Sequence, residues 1–204
     1  MSLFIPTYFS PISQYGVMYN SDTILFEIED NFQKQTYRNR CYIYGANGKQ
    51  LLNVPLSYPK TTTRKKTKDI LVEDSDWQKQ HFKSLKTAYN HSPFFEFYKD
   101  DLELIFTKKY KYLLDLNIDS FLFINDALEL YKKHKTTNIY KDKSINDYRF
   151  LANSKKAHSI NLESYIQVFS EKYGFLKNLS ILDLLFMEGP NSISFLEKVN
   201  VTLE

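Results

Sequence analysis

The chain has 204 residues, of which 43% are hydrophobic and 25% are charged, as is typical of a globular protein. Its formal net charge of +3 is too small to indicate nucleic-acid binding, and no run approaches the roughly 20 apolar residues that a membrane span needs. The single cysteine, Cys41, excludes an intrachain disulfide and fits a reducing compartment. No signal-peptide pattern is visible, so we expect a cytoplasmic protein without a transmembrane segment.

The first 75 residues are predicted to be rich in strands. Apolar and β-branched runs predict short strands at residues 3–5, 23–28, 40–44, 50–56 and 69–73. A helix is predicted at residues 11–20, and GANG at 45–48 predicts a hairpin turn. Residues 57–68 are polar and basic without periodicity, and they predict a mobile surface loop.

From residue 75 the hydrophobic period becomes helical. Helices are predicted to begin at residues 75, 94 and 109, and the third runs to residue 132 with an interruption near Asn117. Ser75 and Gln78 form a capping-box pattern at the first of them. One face of this helix carries both Trp77 and His81, because residues four apart lie one turn above each other.

The C-terminal part mixes short elements with irregular chain. Strands are predicted at residues 136–140 and 165–169, with irregular structure at 141–160. Ser180 and Asp183 predict a capping box before a helix that is apolar almost all round, and Gly189 predicts its end. We therefore expect one α/β domain over residues 1–204, strand-rich over 1–75 and helix-rich over 76–204. A mixed β-sheet, largely from the N-terminal third, would lie among packed helices.

Several common site motifs are absent from the sequence. The five glycines cannot form a dinucleotide-binding or phosphate-binding loop, and no nucleophile-elbow pattern occurs. The four histidines have no metal-ligand spacing, so no metal site is expected. Cys41 lies in a predicted strand and is interpreted as an inert core residue. The sequence names no cofactor.

A set of motifs in a fixed order resembles a known family. The motifs are Tyr8-Phe9, Gln14-Tyr15, QTYRNR at 35–40, LNVPL at 52–56, Trp77 with His81, SPFF at 92–95, YIQVF at 165–169 and NLSILDLLFMEGP at 178–190. Together they resemble the WbqC-like protein family of bacteria and archaea. The family usually opens with His-Gln-Pro, whereas this chain has Phe4-Ile5-Pro6 and lacks that histidine.

The resemblance implies a role in surface polysaccharide and O-antigen synthesis. Such a protein would modify an amino sugar, for example by attaching glycine or another acyl group to the sugar amine. The implied partners are a small-molecule or lipid-linked amino sugar and polysaccharide-assembly enzymes. No nucleic-acid partner is expected.

Three residues are candidates for acid–base catalysis. His81 lies on an apolar helix face, where it is either a base or a core histidine bonded to a backbone carbonyl. Glu29 and Asp30 follow a buried strand, where carboxylates suit an open α/β site but equally suit an acidic turn.

The candidate substrate-binding residues are mostly polar or basic. They are Gln14, Tyr15, Asn39, Arg40, Arg64, Lys65, Lys66 and Trp77. Arg40 could bind a phosphate, or form a buried pair with Asp22, Glu29 or Asp30. The basic loop residues could clamp an anion or simply be solvated.

We therefore hypothesise a transferase that acts on an amino sugar carried by a nucleotide or lipid. The alternative is a non-catalytic sugar-binding, nucleotide-binding or scaffold protein of the same pathway.

Overall fold

The computed structural model describes residues 1–57, 65–155 and 159–202, which form short strands and seven α-helices. The strands are β1 (Ser2–Phe4), β2 (Ile24–Phe26), β3 (Arg40–Gly45), β4 (Gly48–Asn53), β5 (Leu56–Ser57), β6 (Leu71–Val72), β7 (His134–Thr136), β8 (Ser159–Asn161) and β9 (Asn200–Thr202). The helices are α1 (Ile12–Tyr19), α2 (Trp77–Tyr89), α3 (Phe95–Thr107), α4 (Leu113–Ala127), α5 (Ser170–Tyr173), α6 (Ile181–Glu188) and α7 (Ser192–Lys198).

The largest sheet among the described residues is parallel and has three strands. Its order is β1-β2-β7, with Leu3 opposite Leu25 and Leu25 opposite Lys135. All three strands run in the same direction, so their carboxyl ends meet at one edge. Open parallel sheets characteristically bind ligands at this edge.

The remaining strands form separate antiparallel pairs: β3 with β4, β5 with β6, and β8 with β9. The α/β class predicted from the sequence is confirmed. In the described part of the chain, however, the strands form four separate sheets and not the one mixed sheet that was predicted, and the parallel sheet takes its third strand from residues 134–136 and not from the N-terminal third.

Helix α6 is buried, as its all-round apolar sequence predicts. Leu182, Leu185 and Phe186 have no exposed surface. The helix ends at Gly189 with φ of +53°, and a Cβ there would lie 2.5 Å from the ring of Phe94. Glycine is therefore required at this end by conformation and by space.

Four local predictions are wrong. Asn117 does not interrupt α4, because its amide donates to the carbonyls of Pro6 and Arg38. Ser75 does not cap α2, which has Asp76 at its N-cap and no side-chain cap bond. Residues 165–169 form no strand, since Gln167 uses its amide to bond the backbone of Leu176. The strand expected at 136–140 lies earlier, at 134–136.

The predicted basic loop is only partly described. Residues 58–64 lie outside the described part of the chain. Residues 65 and 66 pair with 32 and 31, beside the carboxyl edge of the sheet.

Candidate functional site

A polar crevice lies at the carboxyl edge of the parallel sheet. Its volume is about 430 Å³, within the range of small-molecule sites. Ile5 follows β1, Asp30 follows β2, and Tyr140 and Arg149 come from the segment after β7. The crevice therefore draws its walls from the chain segments that leave all three strands.

Asp30 and Arg38 form a buried ion pair in the wall of this crevice. Arg38 Nη2 lies 2.5 Å from Asp30 Oδ2, and the two side chains are only 4% and 9% exposed. Burial lowers the pKa of Arg38, and the charge of Asp30 opposes this shift. Arg38 Nε and Asp30 Oδ1 have no hydrogen-bond partner among the described residues. One donor and one acceptor of this pair are thus buried without a partner among the described residues, which is costly unless a ligand or water bonds them.

Charged side chains also hold the segment after β7, which contributes Tyr140 and Arg149 to the crevice. Buried Glu27 accepts bonds from the Thr137 hydroxyl at 2.7 Å and from the Lys141 amide at 3.0 Å. Arg149 binds Asp147, with Nη2 2.5 Å from Oδ2, and donates through Nη1 to the Lys141 carbonyl at 2.7 Å. These groups fasten the segment after β7 to the end of β2. The sequence signal for Glu27 was a single charge inside an apolar strand.

Glu29 is ion-paired with two lysines. Lys66 and Lys68 lie 2.5 and 2.6 Å from its carboxylate oxygens, and these hydrogen bonds lower the pKa of Glu29. Lys66 is therefore bound to a carboxylate and not free to clamp an anion. Lys65 accepts a backbone bond from Phe32, whereas Arg64 lies outside the described residues.

His81 lies in a different, buried environment. Its Nδ1 is 3.1 Å from the Tyr8 hydroxyl, and the ring also bonds the backbone of Asn53. Burial lowers the pKa of His81 to about 4, although the Asn53 bond opposes this. Trp77 packs against the imidazole with ring centroids 5.1 Å apart and lines a separate cavity of about 490 Å³. The structure does not bring His81 or Trp77 into the crevice of Asp30.

Among the described residues, the other predicted binding residues do not line the crevice. Buried Gln14 donates to the Ile5 carbonyl at 2.9 Å, and burial raises the pKa of Tyr15. Asn39 donates to the Val54 carbonyl at 3.0 Å. Arg40 starts β3 and forms no ion pair with any acidic residue that the structure describes; the buried pair expected for it is made by Arg38.

Asp183 forms the centre of another buried network. It accepts bonds from the hydroxyls of Tyr89 and Tyr165, at 2.7 and 2.5 Å, and from the Gln167 amide at 2.8 Å. Burial raises the pKa of Asp183, and these three donors oppose the shift. The predicted capping box is half present: Ser180 caps α6, but Asp183 turns into the core.

Neither a cluster of metal ligands nor a membrane-spanning helix occurs among the described residues. Residues 1–57, 65–155 and 159–202 hold no group of three His, Cys, Asp or Glu side chains placed to share a metal ion. Over the same part of the chain, no helix is both long and apolar enough to cross a membrane.

The parallel sheet and its polar crevice define an α/β protein with a candidate small-molecule site at the strand ends. The model of the WbqC-like protein family matches residues 6–160 of this chain. The chain therefore belongs to the WbqC-like protein family. Comparisons with curated proteins and with solved structures give no match.

Proposed function

We propose that this protein is a transferase of surface polysaccharide synthesis that acylates or aminoacylates an amino sugar carried on a nucleotide or lipid. The observation that carries the proposal is the buried Asp30–Arg38 pair among the residues that line the crevice, where each side chain has one polar atom without a partner among the described residues. Family membership supports the pathway, since the family resemblance implies polysaccharide synthesis.

The chemistry of the crevice suits an amino sugar. An ionised carboxylate accepts bonds from sugar hydroxyls or a sugar ammonium, and a guanidinium N–H donates to a ring oxygen or phosphate. Tyr140 is 48% exposed at the rim, with the Arg149 guanidinium 5.3 Å from its ring centroid. Its ring supplies an apolar face for the carbon face of a sugar.

Asp30 is the proposed proton acceptor. As the sugar amine attacks the carbonyl carbon of an activated acyl donor, a C–N bond forms and the amine proton passes to Asp30 Oδ1. The bond from the carbonyl carbon to the oxygen or sulfur of the donor then breaks, and Asp30 returns the proton to this leaving group. Arg38 holds the carboxylate in place through Oδ2.

A second candidate is a sugar-binding protein of the same pathway without catalysis. It is favoured by the engagement of two expected acid–base groups elsewhere: Glu29 is bound by two lysines, and His81 is buried with Tyr8. Asp30 would then bind the sugar without moving a proton.

A thermal-shift experiment with UDP-glucosamine, UDP-glucose and UDP tests the site. A ligand at about 100 times its Kd adds roughly 2.7 kcal/mol, or about 5–10 °C in Tm. We expect UDP-glucosamine to give the largest Tm shift of the three ligands. In Asp30→Asn, the Tm shift with UDP-glucosamine should fall to the value found with UDP-glucose. The control Glu163→Gln changes an exposed carboxylate that pairs with Lys198 and should keep the full shift. Equal shifts with all three ligands would contradict an amine-recognising site.

Mass spectrometry then separates the two candidates. Incubation of bound UDP-glucosamine with acetyl-coenzyme A and with an aminoacyl ester tests transfer to the amine. An acylated product formed by wild type but not by Asp30→Asn supports the transferase. Binding without product from any activated donor class favours the binding protein.

A further inference from the structure

A groove on the outer side of α3 and α4 has a strongly apolar floor. Its volume is about 570 Å³, and its floor includes the buried side chains of Tyr98 and Ile105. Phe97 and Leu104 stand at its edge, 78% and 65% exposed. They are seven residues apart on α3, which places them on one face. Neighbouring large apolar side chains left exposed beside a groove are typical of a protein contact surface.

The rim of this groove is acidic, although the chain has a net charge of +3. Asp101, Asp119, Asp126 and Glu129 line it, together with a single cation, Lys108. Lys108 pairs with Asp119 at 2.6 Å. Among the described residues, no Lys, Arg or His lies within ion-pair distance of the other three carboxylates.

We propose that the α3–α4 groove docks a basic amphipathic helix of a partner protein. Apolar residues of such a helix, spaced at three and four positions, would pack between Phe97 and Leu104, and its lysines or arginines would meet Asp101, Asp126 and Glu129. The groove residues of α3 run from Phe97 to Ile105, about 12 Å along the helix axis, so the groove matches about two turns of a docked helix. Anionic lipid headgroups are disfavoured as the occupant because the rim carboxylates would repel them.

This surface is independent of the proposed sugar site. None of the groove residues lines the crevice of Asp30. A test of peptide docking in the groove can therefore fail or succeed without affecting the proposed function.

The test uses the full chain and two fluorescein-labelled designed peptides of roughly 14 residues. One is an amphipathic Leu/Lys helix and the other is its Leu/Glu counterpart. We expect the Leu/Lys helix to bind, with affinity falling as salt is raised. The Leu/Glu helix should bind at least about tenfold more weakly.

Variants then locate the binding. Phe97→Ser and Asp126→Lys should each weaken binding of the Leu/Lys peptide about tenfold. Ile166→Ser is the matched control, because Ile166 is 76% exposed outside the groove, and it should leave binding unchanged. Equal affinity for both peptides, or equal losses in all three variants, would overturn the proposal. A wild-type dimer in sedimentation velocity that Phe97→Ser dissociates would also overturn it, since a second copy would then be the occupant.

Discussion

Two buried aspartates are bonded in opposite ways. Asp183 receives three donors, from Tyr89, Tyr165 and Gln167, which together bond both of its oxygens. Asp30 receives one partner, Arg38, on Oδ2, and its Oδ1 has none within the described residues. Both residues are less than 10% exposed.

The difference shows that burial of a carboxylate does not by itself indicate a function. A fully bonded carboxylate joins elements: Asp183 connects α6 to α2 and to the loop before α5. A partly bonded carboxylate beside a cavity retains the capacity to bind something else. The two residues should therefore respond differently to substitution, one mainly in stability and the other in ligand binding.

The largest expected effect is at Asp183. Asp183→Ala leaves the buried hydroxyls of Tyr89 and Tyr165 without their acceptor, at roughly 1–3 kcal/mol each, whereas the Gln167 amide keeps the Leu176 carbonyl. We therefore expect a loss of about 4 kcal/mol in the free energy of unfolding. Urea titration followed by fluorescence measures it, because Trp77 is the single tryptophan and is buried.

Two comparisons control this measurement. Asp100→Ala makes the same change at an exposed position of α3 and should stay within about 0.5 kcal/mol of wild type. Tyr165→Phe removes a single donor and should cost about 1–2 kcal/mol, which remains measurable if Asp183→Ala does not fold. An Asp183→Ala protein as stable as Asp100→Ala would contradict the structural role.

His81 is a buried base whose ring, like the Asp183 carboxylate, is bonded within the protein. Its pKa is about 4 when folded, against 6.5 in its ordinary state, so the unfolded chain binds the extra proton between these values. The contribution of neutral His81 is complete above pH 6.5 and is lost as pH falls towards 4, by up to about 3 kcal/mol. We expect His81→Gln to lose less stability than wild type between pH 7 and 4.5. Parallel pH profiles for the two proteins would place His81 in contact with solvent instead.

Substitution of Asp30, unlike substitution of Asp183, should weaken ligand binding. Asp30→Asn keeps the shape and a hydrogen bond to Arg38 but leaves the guanidinium without its charge partner, so we expect a stability loss of about 3 kcal/mol. Affinity for UDP-glucosamine should fall at least about tenfold, measured by calorimetry, while Asp183 variants that fold keep wild-type affinity. If Asp30→Asn and Tyr165→Phe reduce affinity equally, the contrast between the two aspartates is wrong.

The sequence predicts local features of this protein better than its long-range pairs. The hairpin around GANG, the burial of α6 and its end at Gly189 follow from turn chemistry and from apolar residues close together in the chain. The partners of Asp183 lie up to 94 residues away, and no local pattern identifies them. Ser180 three residues before it instead predicts a cap, and this prediction is only half correct.

The candidate site follows the same division. That carboxylates after a buried strand lie at the edge of a sheet was predictable, and Asp30 lies there. The sequence did not predict which arginine pairs with Asp30, because Arg38 and Arg40 lie only two residues apart. The structure shows that Arg38 precedes β3 and pairs with Asp30, whereas Arg40 is the first residue of β3. The engagement of Glu29 by Lys66 and Lys68 also depends on a chain return that sequence spacing does not reveal.

The smallest expected effect is at Glu29, adjacent to Asp30 in the chain. Its carboxylate binds two lysines that are 49% and 38% exposed, and such exposed ion pairs contribute little. We expect Glu29→Gln to keep affinity for UDP-glucosamine within about threefold of wild type. Calorimetry on Glu29→Gln and Asp30→Asn side by side measures the difference. If Glu29→Gln loses as much binding as Asp30→Asn, the lysine-bound carboxylate of Glu29 also contributes to ligand binding in the crevice. The distinction between fully and partly bonded carboxylates would then not hold at this edge of the sheet.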